Sequence, residues 1–288
     1  MTPPSTVREN ILAVFESLSP KQRQLARFCL DNEDIVAFAS ANDIGERVGT
    51  SAATVVRFCR ALGYEGYPDL QAAVRTRFPQ YRTVVQKMAD RMANGGRVEE
   101  LPARVIQANV QNIQETITQI SLETLTQAVQ ALIQARQIHI FGSGLATAAA
   151  ILAEHSLKVL GLPARACLNG GAAQIMEISQ LSGRDVVIVI SMWRYLRDTV
   201  EAAQAARSVG AVCLALTDSP VSPVAAPADY VFIAATEGAA HSRSLSGILA
   251  LIDLFGAAIA AERPEESMQA LQRVDNLYRQ NGLLLSDP

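Results

Sequence analysis

Closely spaced cysteines are absent from this chain. Its four, Cys29, Cys59, Cys167 and Cys213, are scattered, with neither a CxxC pair nor metal-ligand spacing. That argues against a disulfide framework and against a metal site, and predicts buried free thiols in a reducing cytoplasm. Excess positive charge is absent too: the formal net charge is -3, so the whole molecule is no polycation and any affinity for nucleic acid must come from a local patch. The first residues, MTPPSTVREN, lack a basic start running into an apolar stretch, so no secretory signal is expected. Nor is there a membrane-length apolar run, because the Ala-rich stretch from Thr147 to Leu162 is broken by Glu154, His155 and Lys158. No internal repeat or low-complexity tract is visible. What is present is a chain of 288 residues, 49% of them hydrophobic, enough for a substantial core and about two domains.

The most informative stretch is Ser40 to Leu70, SANDIGERVGTSAATVVRFCRALGYEGYPDL. Ser40 with Asp43 three residues on has the form of a capping box. Ile44 and Val48 are four apart and share a helix face. Gly49 stands where a helix end favours positive φ, and Ser51 is placed to cap a second helix. In that helix Val55, Phe58, Cys59 and Leu62 form a buried stripe, and Gly63 ends it. Ser51, Ala52, Thr54, Arg57 and Arg60 lie largely outside the stripe. Small or polar residues near a helix N-terminus, followed by arginines, suit base edges and phosphates in a major groove. An ordinary helical hairpin with two surface arginines is the competing reading. A basic run of Arg75, Arg77, Arg82, Lys87, Arg91 and Arg97 follows, either a phosphate-binding face or a solvated one.

Residues 7 to 78 read as wholly helical. Val7 to Leu18 is one helix, a second runs from Ser19-Pro20 to about Asn32, the helix-turn-helix follows, and the last spans Asp69 to Arg77. Tyr64 and Tyr67 are expected to pack that small domain. Phe78-Pro79 breaks the pattern, 79–98 is a candidate linker, and Asn94-Gly95-Gly96 marks a boundary. Helices are expected at Val105–Ile120, packing across the second domain or a dimer partner, and at Leu122–Ala135. The period then changes. Apolar strands at 137–141, 185–191, 211–217 and 230–234, with a short one at 163–168, alternate with helices at 145–160, 198–209 and 244–261. That alternation predicts an α/β domain with a doubly wound parallel sheet after an all-α helix-turn-helix domain.

Two resemblances fit this order. Asp43 to Gln71, DIGERVGTSAATVVRFCRALGYEGYPDLQ, resembles the helix-turn-helix domain of the RpiR/MurR family of bacterial transcription regulators. IFGSGLATAAAILAEHSLKVLG (Ile140 to Gly161), DVVIVIS (Asp185 to Ser191), AVCLALTDSP (Ala211 to Pro220) and SRSLSGILALIDL (Ser242 to Leu254) resemble the SIS, or sugar isomerase, domain that these regulators carry. The implied layout is a DNA-binding domain at 1–78, a linker at 79–98 and an SIS-like effector-binding and oligomerisation domain at 99–288. The resemblance also implies a phosphorylated-sugar pocket built from two loops, Gly-x-Gly-x-Ser and Ser-x-Ser-Gly-x-Thr. Here the first loop is Gly142-Ser143-Gly144-Leu145-Ala146-Thr147, where Ala146 takes the serine position and Ser143 or Thr147 is left to replace the hydroxyl. In the second, Ser191 matches, while Trp193, Arg194 and Leu196 replace the second Ser, the Gly and the Thr. Arg194 and Arg197 add charge suited to a carboxylate or a phosphate, or else to salt bridges between subunits. Ser242 and Arg243 either face the same pocket or, for Ser242, cap the last helix.

The expected function is a DNA-binding regulator, not an enzyme, that senses a small anionic metabolite. It needs no cofactor or metal, works in the cytoplasm without a membrane, and pairs with itself as dimer or tetramer on a palindromic operator of double-stranded DNA. Two alternatives stand beside it. One is a sugar-phosphate isomerase drawing its base from Glu154, His155, Glu237 or His241. The other is a ligand-independent DNA binder whose sheet domain only oligomerises.

Overall fold

The computed structural model describes residues 6–76, 98–192, 194–239 and 242–283, with Asp34 described in its backbone alone. The chain divides into two compact units, Met1–Ala93 and Asn94–Pro288. Apart from Val98, the expected linker lies outside the described residues, as do Trp193, His241 and the basic residues Arg77, Arg82, Lys87, Arg91 and Arg97.

The first unit is helical: α1 Val7–Val14, α2 Pro20–Asp31, α3 Glu33–Phe38, α4 Ala41–Val48, α5 Ala52–Ala61 and α6 Tyr67–Arg75. Side-chain caps start four of them. Thr6 with Glu9, Ser19 with Gln22 and Ser40 with Asp43 are reciprocal capping boxes, and the Ser51 hydroxyl accepts from the Thr54 amide. Each satisfies amides that have no partner within the helix. Gly49, at φ +68°, ends α4 in the left-handed region where a side chain is strained. Ile11, Leu25, Ile44, Val55, Phe58, Cys59, Leu62, Tyr67 and Leu70 form the core.

Two features differ from the sequence expectation. The first helix stops at Val14, and Phe15–Ser17 forms a 3-10 turn. Between α2 and α4 sits the six-residue α3, held from outside. Tyr67 Oη donates to the carbonyls of Val36 and Ala39 at 3.0 Å each, Gln71 Nε2 donates to the same two, and Arg75 Nε donates to Ala37 O at 2.6 Å. The free carbonyls at the α3 C-terminus are thus satisfied by α6. Tyr67 is buried, so its expected packing role holds, whereas Arg75 is tied to α3 and lies 5.8 Å over the Phe38 ring.

The second unit contains α7 Leu101–Thr118, α8 Leu122–Gln134, β1 Ile138–Gly142, α9 Ala146–Val159, β2 Ala164–Cys167, α10 Gly171–Ile178, β3 Val186–Ser191, α11 Arg197–Val209, β4 Val212–Thr217, β5 Tyr230–Ile233, α12 Ser246–Glu262 and α13 Pro264–Gln280. The five strands are all parallel, in the order β2-β1-β3-β4-β5. Both faces are covered, which is why the strands read as continuous apolar runs. Ile138, Ile140, Val186, Ile188 and Ile190 pack with α8, α9 and α12 on one face. Phe141, Cys167, Val187, Val189 and Cys213 pack with α11 on the other. α10 and α13 were not anticipated, and α12 begins at Ser246, later than expected. All four cysteines are free and buried, and burial pushes each thiol up to about 12. Among the described residues no helix is long and apolar enough to cross a membrane.

Gly142 closes β1 where the chain turns into α9. A Cβ there would stand 2.7 Å from Ala146 O and 3.1 Å from the Ala150 Cβ, so only glycine lets strand and helix approach this closely. α7 packs on α12 within its own unit. Its buried Asn112 donates to Glu237 O at 2.8 Å and accepts from Glu237 N at 3.1 Å, and its Thr116 hydroxyl accepts from Ala235 N. The other side of α7 exposes Ile106, Val110, Ile113 and Ile117.

Candidate nucleic-acid interface and effector crevice

In the first unit the α4 turn presents α5 with an ordered polar start. The Ser51 and Thr54 hydroxyls are 3.0 Å apart, and Arg57 Nη2 donates to Thr54 Oγ1 at 2.9 Å. Residues 51, 54 and 57 therefore line one face at steps of three. Ser51, Arg57 and Arg60 are exposed, with Ala52 and Thr54 half-buried beside the core stripe. Arg60 points along the helix, its Nε donating to Glu65 O at 3.4 Å. Sequence reasoning missed Lys21. Its Nζ donates to Gly49 O at 3.0 Å and adds a cation at the turn between the two helices. The two residues are 28 apart in sequence, so no local pattern signals the contact.

In the second unit the strand order reverses direction between β1 and β3. In such sheets ligands lie beyond the carboxyl ends of the strands at that switch. The loops following β1 and β3 meet there: a Cβ at Gly144, whose φ is +62°, would stand 3.5 Å from the Leu196 side chain. Several expected contact groups are already engaged. The Thr147 hydroxyl donates to Gly142 O at 3.2 Å, and the buried Ser191 hydroxyl lies 3.1 Å from that of Thr199. Ser143 is half-buried and begins the turn, accepting from Ala146 N. No side chain caps α9, and the amides of Gly144 and Leu145 reach no acceptor among the described residues. Arg194 and Arg197 are exposed and form no ion pair among those residues.

Arg243 is drawn inward. Its Nη1 donates to Thr236 Oγ1 at 2.8 Å and lies 3.5 Å from Asp218 Oδ2, the two side chains being only 9% and 3% exposed. Tyr195 Oη donates to Asp218 Oδ1 at 2.9 Å, so Asp218 joins the β3–α11 loop to the segment before α12. Asp218 was not singled out beforehand, although an acid directly after an apolar strand is a legible signal for that edge. Ser242 precedes α12 by four residues and does not cap it; Ser244 Oγ accepts from Ser246 N at 3.1 Å instead.

Two of the four bases proposed for an isomerase, Glu154 and His155, lie along α9 away from these loops. Glu154 pairs with Lys158 along α9, and His155 is exposed about 12 Å down that helix from Thr147 at the α-helical rise. Glu237 is exposed, with its backbone gripped by Asn112.

The family models agree with this two-part layout: a helix-turn-helix domain of the rpiR family matches residues 6–80, and an SIS domain matches residues 131–261. A crystal structure of the sugar isomerase domain of an RpiR transcription factor from Sphaerobacter thermophilus is 37% identical, with a TM-score of 0.60, and covers 62% of this chain and 99% of its own. The chain belongs to the RpiR family of transcription regulators. An HTH-type transcriptional regulator of Caldanaerobacter subterraneus is 25% identical over 93% of this chain and 96% of its own length. The Vibrio vulnificus NanR protein, solved in complex with ManNAc-6P, shares the fold across both units, with a TM-score of 0.68, 23% identity and coverage of 98% of this chain and all of its own. This RpiR-family chain is therefore a transcription regulator with an SIS domain.

Proposed function

We propose that the regulator binds its operator through Ser51, Ala52, Thr54, Arg57 and Arg60, and that an anionic metabolite at the β1/β3 switch modulates that binding. The observation that carries the sensor half is the pairing of two acceptor-free amides, on Gly144 and Leu145, with the exposed cations Arg194 and Arg197 of the adjoining loop. Amides at a helix N-terminus and guanidinium groups favour the same ligand charge. A sugar phosphate, like the ManNAc-6P held by the NanR protein of this fold, and a sugar acid both supply it. Gly142, Ser143, Thr147, Ser191, Ser242 and Arg243 shape the crevice, most of them through bonds already formed within the protein. Sensing is favoured over turnover because two of the four candidate bases, Glu154 and His155, lie away from the loops and full-length relatives are named transcriptional regulators. The exposed apolar face of α7 fits a second copy of the chain, which would set two reading helices on a palindromic site. A ligand changes DNA binding only by favouring one arrangement of the regulator over another.

The test is a mobility shift on the DNA upstream of the chain's own gene, with sugar phosphates and sugar acids titrated against it and thermal stability followed in parallel. One class of anion is expected to raise the melting temperature and change the shift, and Arg194→Ala is expected to need about tenfold more anion for both responses while still binding DNA. No response to any anion would leave oligomerisation as the sheet domain's role. Turnover of a sugar phosphate, lost in Glu237→Gln, would overturn the sensing role.

A further inference from the structure

On the sheet face opposite α9, three residues distant in sequence come together. His139 lies on β1, Cys167 at the end of β2 and Glu177 on α10. The ladder pairs Phe141 with Cys167, which places His139 two residues back along the neighbouring strand and on the same face. Cys167 Sγ is 4.0 Å from His139 Nδ1 and 3.9 Å from Glu177 Oε2, and the three donor groups all lie within 4.8 Å of one another. His139 is 4% exposed and Cys167 7%. The imidazole has no oxygen or nitrogen partner: Nε2 is unpaired among the described residues, and Nδ1 contacts only the thiol. A buried imidazole without a strong partner is uncommon and calls for an explanation.

We infer that His139, Cys167 and Glu177 form a binding site for a divalent zinc ion. The donor set fits. Nitrogen, sulfur and carboxylate oxygen are the ligand types zinc takes, and bond lengths of about 2.0–2.3 Å in a tetrahedron put its ligands about 3.5 Å apart. The two sulfur contacts here need to close by only a few tenths of an ångström. Charge fits as well: a thiolate and a carboxylate neutralise a divalent ion, which a buried site requires. Binding releases the thiol proton to solvent as the sulfur–zinc bond forms, with no change of oxidation state. Glu177 keeps its second oxygen, Oε1, in an ion pair with Arg165, so the carboxylate is already oriented from outside. The fourth position falls to water entering past Glu177, the one ligand of the three with appreciable exposure. The same helix carries Gln174, whose Nε2 donates to Asp198 O at 2.6 Å at the start of α11. Zinc would thus fasten α10, and through it the root of the Arg194 loop.

The full-length protein, stripped with chelator and reloaded with zinc, is expected to retain about one equivalent per chain after desalting. Cobalt in place of zinc is expected to give a thiolate charge-transfer band together with tetrahedral visible absorption. Cys167→Ala and His139→Gln are expected to lose both signals and the rise in melting temperature on adding zinc, while Cys213→Ala keeps them. If a ligand variant fails to fold, Glu177→Gln, altered at the half-open edge, carries the same expectation. Absence of retained zinc in the wild type would overturn the inference. So would equal retention in Cys167→Ala and His139→Gln, or cobalt spectra without thiolate character.

Discussion

The two candidate sites treat their polar side chains in opposite ways. At the start of α5 the side chains of Ser51, Thr54 and Arg57 bond to one another, with Ser51 and Arg57 exposed and Thr54 half-buried, so the remaining capacity of the exposed pair faces outward. At the sheet's carboxyl edge the hydroxyls of Thr147 and Ser191 and the guanidinium of Arg243 are engaged inside the protein. A surface that meets a duplex has to leave donors open across many contacts. A crevice for one small anion needs a few donors held in place, and the bonds around them do the holding. The proposed function rests on what each site leaves open to a partner: three mutually bonded side chains in one, two amides and two arginines in the other.

The sharpest way to break that comparison is on the reading helix. Arg57→Ala combined with Arg60→Ala is predicted to weaken operator binding about thirtyfold or more, since each arginine that meets a base or phosphate contributes about a kcal/mol or more. A salt titration by fluorescence anisotropy checks it: log affinity of the wild type should fall with log salt at about -0.9 per phosphate neutralised, and the double variant should show a shallower slope. An unchanged affinity would return α5 to an ordinary surface helix.

How far the sequence could be read follows the same division. The first unit announces itself because its helix ends are set by residues close in sequence: Ser40 with Asp43, Gly49, and Ser51 with Thr54. α3 escaped because its carbonyls are satisfied by Tyr67, Gln71 and Arg75, more than 25 residues downstream. The parallel sheet was within reach, since strands buried on both faces leave long apolar runs. α10 and α13 were not anticipated. The site residues were legible as loops and not as partners. Nothing near Arg243 says that it pairs with Asp218, or near His139 that it meets Cys167, because the sheet makes those contacts.

On the crevice side, Arg194→Ala is predicted to cost about tenfold in effector affinity, the scale of one charge-assisted hydrogen bond, with unchanged folding because the side chain is exposed. Isothermal titration with the responsive anion measures it. Loss of folding or of self-association would make this arginine part of a structural interface and erase the contrast with α5. Gly142→Ala tests the backbone half of the crevice. The added Cβ meets the Ala146 carbonyl at 2.7 Å, so the start of α9 must shift, at a cost of about 1–3 kcal/mol in urea unfolding and with a weaker effector response. A neutral result would mean that the amides of Gly144 and Leu145 are not held as the geometry implies.

The smallest effect lies beneath the sheet, where the second unit engages a carboxylate far from any ligand. Asp185 is fully buried at its side chain and would be driven toward its neutral form. Arg136, which donates to both its oxygens at 2.8 and 2.6 Å, and the Ser182 amide and hydroxyl reverse that and hold its pKa below the ordinary 3.8. A depressed carboxylate pKa means that the unfolded chain takes up the proton first. The stabilisation is therefore complete above about pH 5 and drains away as the pH falls below 3.8 toward the folded value. Asp185→Asn is predicted to lower the melting temperature by about 2–4 °C at neutral pH, a modest change because Arg136 remains half exposed. The gap between wild type and variant should narrow steadily once the pH drops below 4. A gap that stayed constant down to pH 3 would show that shape and not charge fastens Arg136 to this end of the sheet. The contrast between an open reading helix and an internally bonded sheet would then rest on the crevice loops alone.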